Sequence, residues 1–176
     1  MDNLEELLKK AQDDDKEAYG KIYGLFYERI YKYCRFNCYN QETAIDICQD
    51  TFIKAWQALP RFDTSKGTFQ AFLYRIAKNL IIDNSRKKKE ESINNYEHLE
   101  TKEDFASDID KKTDVSKLKG AIEKLNQKDK QIIVLHYFEE LPGADIAKII
   151  GIRKGALRVR THRIIKKLQE IMGEQI

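Results

Sequence analysis

The sequence predicts an all-α protein of two small helical domains joined by a flexible acidic linker, with residues 1–89, 90–115 and 116–176 as first module, linker and second module. Three observations carry this. Only two prolines and eight glycines interrupt 176 residues, and the apolar positions recur at intervals of three and four rather than two. Charge is segregated: residues 61–89 hold eight bases and two acids, 90–116 nine acids and three bases, and 148–169 eight bases and no acid. The overall net charge of +3 therefore conceals two basic stretches with an acidic one between them. Finally, residues 90–115 have few apolar side chains and no sustained period, a composition that cannot offset its ordering entropy by burial.

The elements follow in order. Residues 1–17 are acidic, with seven acids and three bases. Residues 15–38 place Tyr19, Ile22, Tyr23, Phe26, Ile30, Tyr33 and Cys34 on one stripe at helical spacing, which predicts a core-facing helix. After a break near Asn40, Thr43 to Leu59 gives a second helix with Ile47, Phe52, Ile53 and Trp56 as apolar members, ended by Pro60. A loop, RFDTSKGT, precedes a third helix from Phe69 to about Arg86, whose stripe is Phe69, Phe72, Leu73, Ile76, Leu80 and Ile81. A basic tail, Arg86 to Lys89, runs off its end. Periodicity returns from Ser116, through Leu118, Ile122, Leu125, Ile132, Ile133, Leu135 and Phe138, to a tight helix pair around Gly151.

Three cysteines, an odd number without a secretion signal, are expected as free thiols. Cys34 and Cys38 are four apart on one helical face, but no histidine is near in sequence, so all three read as buried small hydrophobes. No leader follows Met1 and no apolar run approaches the roughly 18 residues of a membrane span, so a cytoplasmic protein without membrane insertion is expected.

The strongest local signal is GADIAKIIGIRKGALRVRTH, residues 143–162. Where two short helices cross closely, the first must present a small side chain, and Ala147 supplies it. Four residues later the turn wants a residue at ease with positive φ, and Gly151 is that residue. Ile146, Ile150, Ile152 and Leu157 are the apolar contacts that fix the crossing. These are the requirements of a helix-turn-helix. Its second helix, about Arg153 to Leu168, carries Arg153, Lys154, Arg158, Arg160, Arg163, Lys166 and Lys167, with His162 among them. A helical hairpin with a merely solvated face would mix its signs; this one holds no acid, as a helix entering the major groove requires.

Two blocks of the chain now become readable together. DICQDTFIKAWQAL (46–59), followed by PRFDTSKGTFQAFLYRIAKNLIIDNSRKKK (60–89), resembles region two of bacterial RNA polymerase sigma factors, specifically the small extracytoplasmic-function group of the sigma-70 family. Residues 118–171 resemble region four, and the acidic stretch between matches the group's variable linker. The resemblance implies a dissociable subunit that binds core RNA polymerase and directs promoter-specific transcription initiation, with promoter DNA and an anti-sigma factor as further partners. It implies polymerase docking through Asp46, Gln49, Asp50, Phe52 and Trp56.

The resemblance further implies that the loop Leu59–Thr68 and the next helix open the promoter and hold the minus-ten region. Arg61, Phe62, Lys66 and Phe69 are of the types that stack on unpaired bases and hold their backbone, and Arg75, Lys78, Asn79, Arg86, Lys87 and Lys88 would line that backbone. Phe72 and Tyr74 read as packing residues. At the minus-thirty-five element the family pattern falls on Arg158, Val159, His162 and Arg163, within a basic helix that also carries Arg153, Lys154 and Arg160. Val159 stands where the family commonly has a small hydroxyl residue; it donates no hydrogen bond but can meet a thymine methyl.

Two other function classes fit less well. A stand-alone regulator would leave DICQDTFIKAW without a purpose and usually carries a dimer seam or an effector pocket, neither of which is legible. A nuclease wants clustered carboxylates or a metal set, whereas the acids are scattered, and His98, His136 and His162 form no constellation. No enzyme activity, cofactor or metal is expected; catalysis belongs to the polymerase.

Overall fold

A computed structural model of the chain describes residues 3–38, 40–94 and 114–173, and among them every regular element is helical. The chain divides into two compact units, Met1–Glu103 and Asp104–Ile176, each with its own core. Of the acidic stretch expected as a linker, residues 95–113 lie outside the described residues, while its first five residues continue the preceding helix.

The first unit opens on a helix that the sequence reading did not resolve, α1 (Leu4–Gln12). Glu5 and Glu6 in its first turn and Lys9 and Lys10 in its last complement the helix dipole, and Leu7, Leu8 and Ala11 are buried. Asp14 takes φ 67° to turn the chain, and the carboxylate of Asp15 accepts from the amides of Glu17 and Ala18 at 2.9 and 3.0 Å, capping α2 (Lys16–Asn37). Ile22, Phe26, Ile30, Tyr33 and Cys34 are its buried face, as the stripe predicts. Tyr19 and Tyr23 lie at its edge, partly exposed.

The side chain of Asn40 accepts from the Thr43 amide at 2.8 Å and starts α3 (Gln41–Ala58). Pro60 lies in the 3-10 turn Leu59–Arg61 that follows. A second 3-10 turn, Thr64–Lys66, is capped by Asp63 and closed by Gly67 at φ 150°, ψ 173°, a conformation open essentially only to glycine. Thr68 then caps α4 (Phe69–Asn94) through its hydroxyl oxygen, 3.2 Å from the Ala71 amide. Leu73, Tyr74, Ala77 and Ile81 seat α4 on α2 and α3, with Tyr74 edge-on to Tyr33 at 5.0 Å.

The second unit holds α5 (Asp114–Glu123), α6 (Gln127–Ile133), a π turn at Val134–Phe138, α7 (Gly143–Ile150) and α8 (Lys154–Gly173). The π turn changes the register of the apolar stripe. Leu135 and Leu141 go inward, while Phe138, expected among the periodic apolar positions, becomes 61% exposed. Gly151 sits at φ 79°, ψ 40°, and its amide and that of Ile152 both donate to the carbonyl of Ala147, at 2.9 and 3.0 Å. This is the glycine-closed helix end that the sequence demands at this position. Ile146, Ala147, Ile150 and Leu157 are buried at the crossing.

Candidate nucleic-acid interface

Helix α8 buries Leu157, Ile164 and Leu168. Helical spacing therefore puts Gly155, Val159, His162 and Lys166 along the opposite, exposed side, with Arg158 and Arg163 flanking it. Val159 is 53% exposed, so an apolar side chain stands at the centre of a basic face. Arg153 and Lys154 are exposed at its N-terminal end, the end by which a groove-entering helix approaches the duplex.

Arg160 is separated from this group. Its Nε donates to Asp129 Oδ1 at 2.6 Å, with the two side chains only 33% and 14% exposed. Asp129 is itself fixed at the start of α6, where its Oδ2 accepts from Asn126 Nδ2 at 2.6 Å and its amide donates to Asn126 Oδ1 at 3.0 Å. Arg160 thus ties α8 to α6, and its charge is spent within the protein. A shallow cleft of about 600 Å³ lies at this junction, with Val159, Arg163 and Lys167 on its rim.

In the first unit the five docking candidates divide. Asp46, Gln49 and Asp50 are exposed on one side of α3. Phe52 is 3% exposed and packs its ring 4.6 Å from that of Tyr23, so it belongs to the core. Trp56 is half-buried against Tyr19 at 4.7 Å. Ile53, read from the sequence only as an apolar member of this helix, is 54% exposed and continues the row of Asp46, Gln49 and Asp50, which adds it to the candidates. The signal was present, because Asp46, Asp50 and Ile53 recur at four and three.

The loop candidates also split by burial. Arg61 and Lys66 are exposed, the latter 3.4 Å from Asp63. Hydrogen bonds from the Ser65 hydroxyl and amide, with smaller help from Lys66, hold the Asp63 carboxyl below its usual range. Phe62 is half-buried, 5.4 Å from Phe69 and 5.0 Å from Phe72, and Phe69 is buried beneath it, 5.9 Å from Phe26. Along α4, Arg75, Lys78, Asn79 and Arg86 follow one another at helical spacing on the side away from Leu73, Ala77 and Ile81. Arg75 lies over the Phe72 ring at 5.6 Å. Lys87 and Lys88 are exposed but flank this row, Lys88 close enough to Cys38 to act on its thiol.

All three cysteines are free and buried. Cys34 donates to Cys48; that bond, together with burial, holds its thiol above the usual range, and burial pushes Cys38 up to about 11. Among the described residues no group of three or more histidines, cysteines or acids is placed to hold a metal ion, and no helix is long and apolar enough to cross a membrane.

The same two units are found in known proteins. Residues 22–91 match the family described as sigma-70 region 2, and residues 116–168 that described as sigma-70, region 4. The chain is 30% identical over 172 residues to the extracytoplasmic-function RNA polymerase sigma factor SigW of Bacillus subtilis, covering 91% of each. The sigma factor RpoE of Bartonella quintana, solved in complex with the anti-sigma factor NepR, shares the fold with a TM-score of 0.75 at 21% identity, over 88% of this chain and 96% of that one. CnrH, solved with the cytosolic domain of CnrY, shares it with a TM-score of 0.71 at 21% identity, over 97% of both. With an α4 bearing a basic row, a glycine-hinged helix pair whose outer face is basic, and these matches over most of its length, the chain belongs to the extracytoplasmic-function sigma factors of the sigma-70 family, which bind core RNA polymerase and direct promoter-specific initiation.

Proposed function

We propose that the two units divide promoter recognition between them. The side of α3 bearing Asp46, Gln49, Asp50 and Ile53 meets core polymerase, with Trp56 at its edge. The loop 59–68 and the row Arg75, Lys78, Asn79 and Arg86 hold the opened minus-ten strand, and α8 reads the minus-thirty-five duplex through Arg158, Val159, His162 and Arg163. Arg153 and Lys154 contact phosphates nearby. The observation that carries this reading is the outer face of α8 over residues 153–169: six exposed bases and one histidine, no acid before Glu170 in the last turn, and a solvent-facing valine at the centre. A face that only kept the protein in solution would mix its signs.

The chain contributes no catalytic group of its own and works in the cytoplasm beside the polymerase. Its relatives RpoE and CnrH were solved with NepR and the CnrY cytosolic domain, and an anti-sigma partner of this chain would act by covering the same surfaces. The test is transcription by core polymerase on a promoter library, with and without the chain. Initiation confined to a set of related promoters is expected. Binding to duplex DNA without any association with core polymerase would identify a stand-alone regulator instead.

A further inference from the structure

Gln12, the last residue of α1, reaches across the first unit to the backbone of the loop that follows α3. Its carboxamide nitrogen lies 3.2 Å from the carbonyl of Leu59 and 2.8 Å from that of Phe62. The turn between those carbonyls is closed from within by the Phe62 amide, which donates to Leu59 at 3.0 Å. A primary amide has two N–H donors, and here both are used to brace the two ends of one 3-10 turn. On its other side the same turn is held by ring packing, Phe62 against Phe69 and Phe72. The residues so fixed are Arg61 and Phe62, and the next turn presents Lys66.

Residue 12 lies outside the stretch that matches sigma-70 region 2, residues 22–91. Two short 3-10 turns between helices have few internal bonds to keep them in one conformation, so an outside donor determines how firmly the loop is set. Capture of unpaired bases draws on groups already in place when the duplex opens, because ordering them afterwards subtracts from the binding free energy.

We propose that Gln12 is a positioning residue for promoter opening: its carboxamide fixes the Leu59–Phe62 turn so that Arg61 and Phe62 stand ready for the separated strand. This rests on the reading of loop 59–68 as the strand-holding element, and the experiment separates the two. The full chain, bound to core polymerase, is assayed on one promoter taken from the library, as intact duplex and as a template with a premelted minus-ten bubble. Three variants are compared: Gln12→Leu, similar in size without a donor; Gln12→Glu, near-isosteric with acceptors facing two carbonyls; and Phe62→Ala with Lys66→Ala as the loop control.

Permanganate reactivity of the minus-ten thymines follows opening, and filter retention at low temperature follows the closed complex. Loss of the brace should slow opening on duplex on the order of 10-fold for Gln12→Leu and more for Gln12→Glu, with closed-complex binding within about 2-fold of wild type. The bubble template should restore both. If the loop control is defective while both Gln12 variants open duplex normally, the brace has no part in opening and the proposal is overturned. If the Gln12 variants are equally poor on duplex and bubble, Gln12 serves only folding, and the proposal is again overturned. If the loop control itself opens duplex normally, the reading of the loop is wrong and the proposal falls with it.

Discussion

The guanidinium of Arg160 is held 2.6 Å from the carboxylate of Asp129, 31 positions earlier in the chain, while Arg158 and Arg163 on the same helix remain exposed. One basic helix therefore carries arginines of two kinds. Replacing Arg158 or Arg163 by alanine should lower the slope of log affinity against log salt by about 1 if the residue meets a phosphate, or cost roughly 1–3 kcal/mol at one base position if it meets guanine. Arg160→Ala should do neither. It should instead destabilise the second unit by about 1–3 kcal/mol, since the Asp129 carboxylate is left short of a donor. Holoenzyme binding to promoter DNA across a salt series, beside thermal unfolding, checks this. A reduced salt slope for Arg160→Ala would put that side chain on the DNA.

Val159 makes a prediction about one atom group on the DNA. An exposed valine among arginines can discriminate by meeting the 5-methyl of thymine. Exchanging thymine for deoxyuridine, one position at a time across the minus-thirty-five element, should weaken binding about 4-fold at a single position, the worth of roughly one buried methyl. Val159→Ala should be weaker on thymine and indifferent to the exchange. Equal binding to every deoxyuridine template would remove Val159 from base recognition.

Phe52 and Ile53 are neighbours in sequence with opposite surroundings. Phe52→Ala should cost about 3–5 kcal/mol of stability in the first unit, because the ring is buried and packs against that of Tyr23, so its removal leaves a cavity. Ile53→Asp should leave the melting temperature near wild type and weaken association with core polymerase in a pull-down titration. Unchanged association would move the docking surface off this side of α3.

The thiols should be inert in the folded chain. The Cys34 and Cys38 thiols titrate above the ordinary range, so near pH 8 they hold little thiolate; the hydrogen bond from Cys34 holds Cys48 below its usual range, but Cys48 is fully buried, and burial denies the reagent access to all three. Iodoacetamide at pH 8 should label none of the three cysteines within an hour and all three in guanidinium chloride. Mass spectrometry reads the count, and rapid native labelling of Cys34 or Cys48 would contradict their burial.

Much of the fold was legible because its determinants are local. Asp15 and Asn40 cap helices through bonds to amides two or three residues away. Gly151 was identified from one steric requirement, a positive φ, which the neighbouring sequence already imposes. The buried stripe of α2 follows from a period of 3.6 that any helix must obey. Helix α1 escaped because nine residues with three apolar members buried, Leu7, Leu8 and Ala11, give too short a period to stand out beside their charge.

By itself the sequence determined the helical class, the two units, the helix-turn-helix and the sign of each surface, since periodicity, backbone sterics and formal charge are properties of neighbouring residues. Only the tertiary structure decided which members of each patch are available to a partner. Phe52 was grouped with Asp46 and Asp50, and Arg160 with Arg158 and Arg163, because spacing assigns a residue to a helix and approximately to a side of it. What covers that side is fixed by another helix: Tyr23 over Phe52, and Asp129 beside Arg160. The brace from Gln12 to Leu59 and Phe62 spans 47 and 50 positions, and no local rule reaches so far, because such a bond exists only once α1 has packed against α2 and the turn beyond α3.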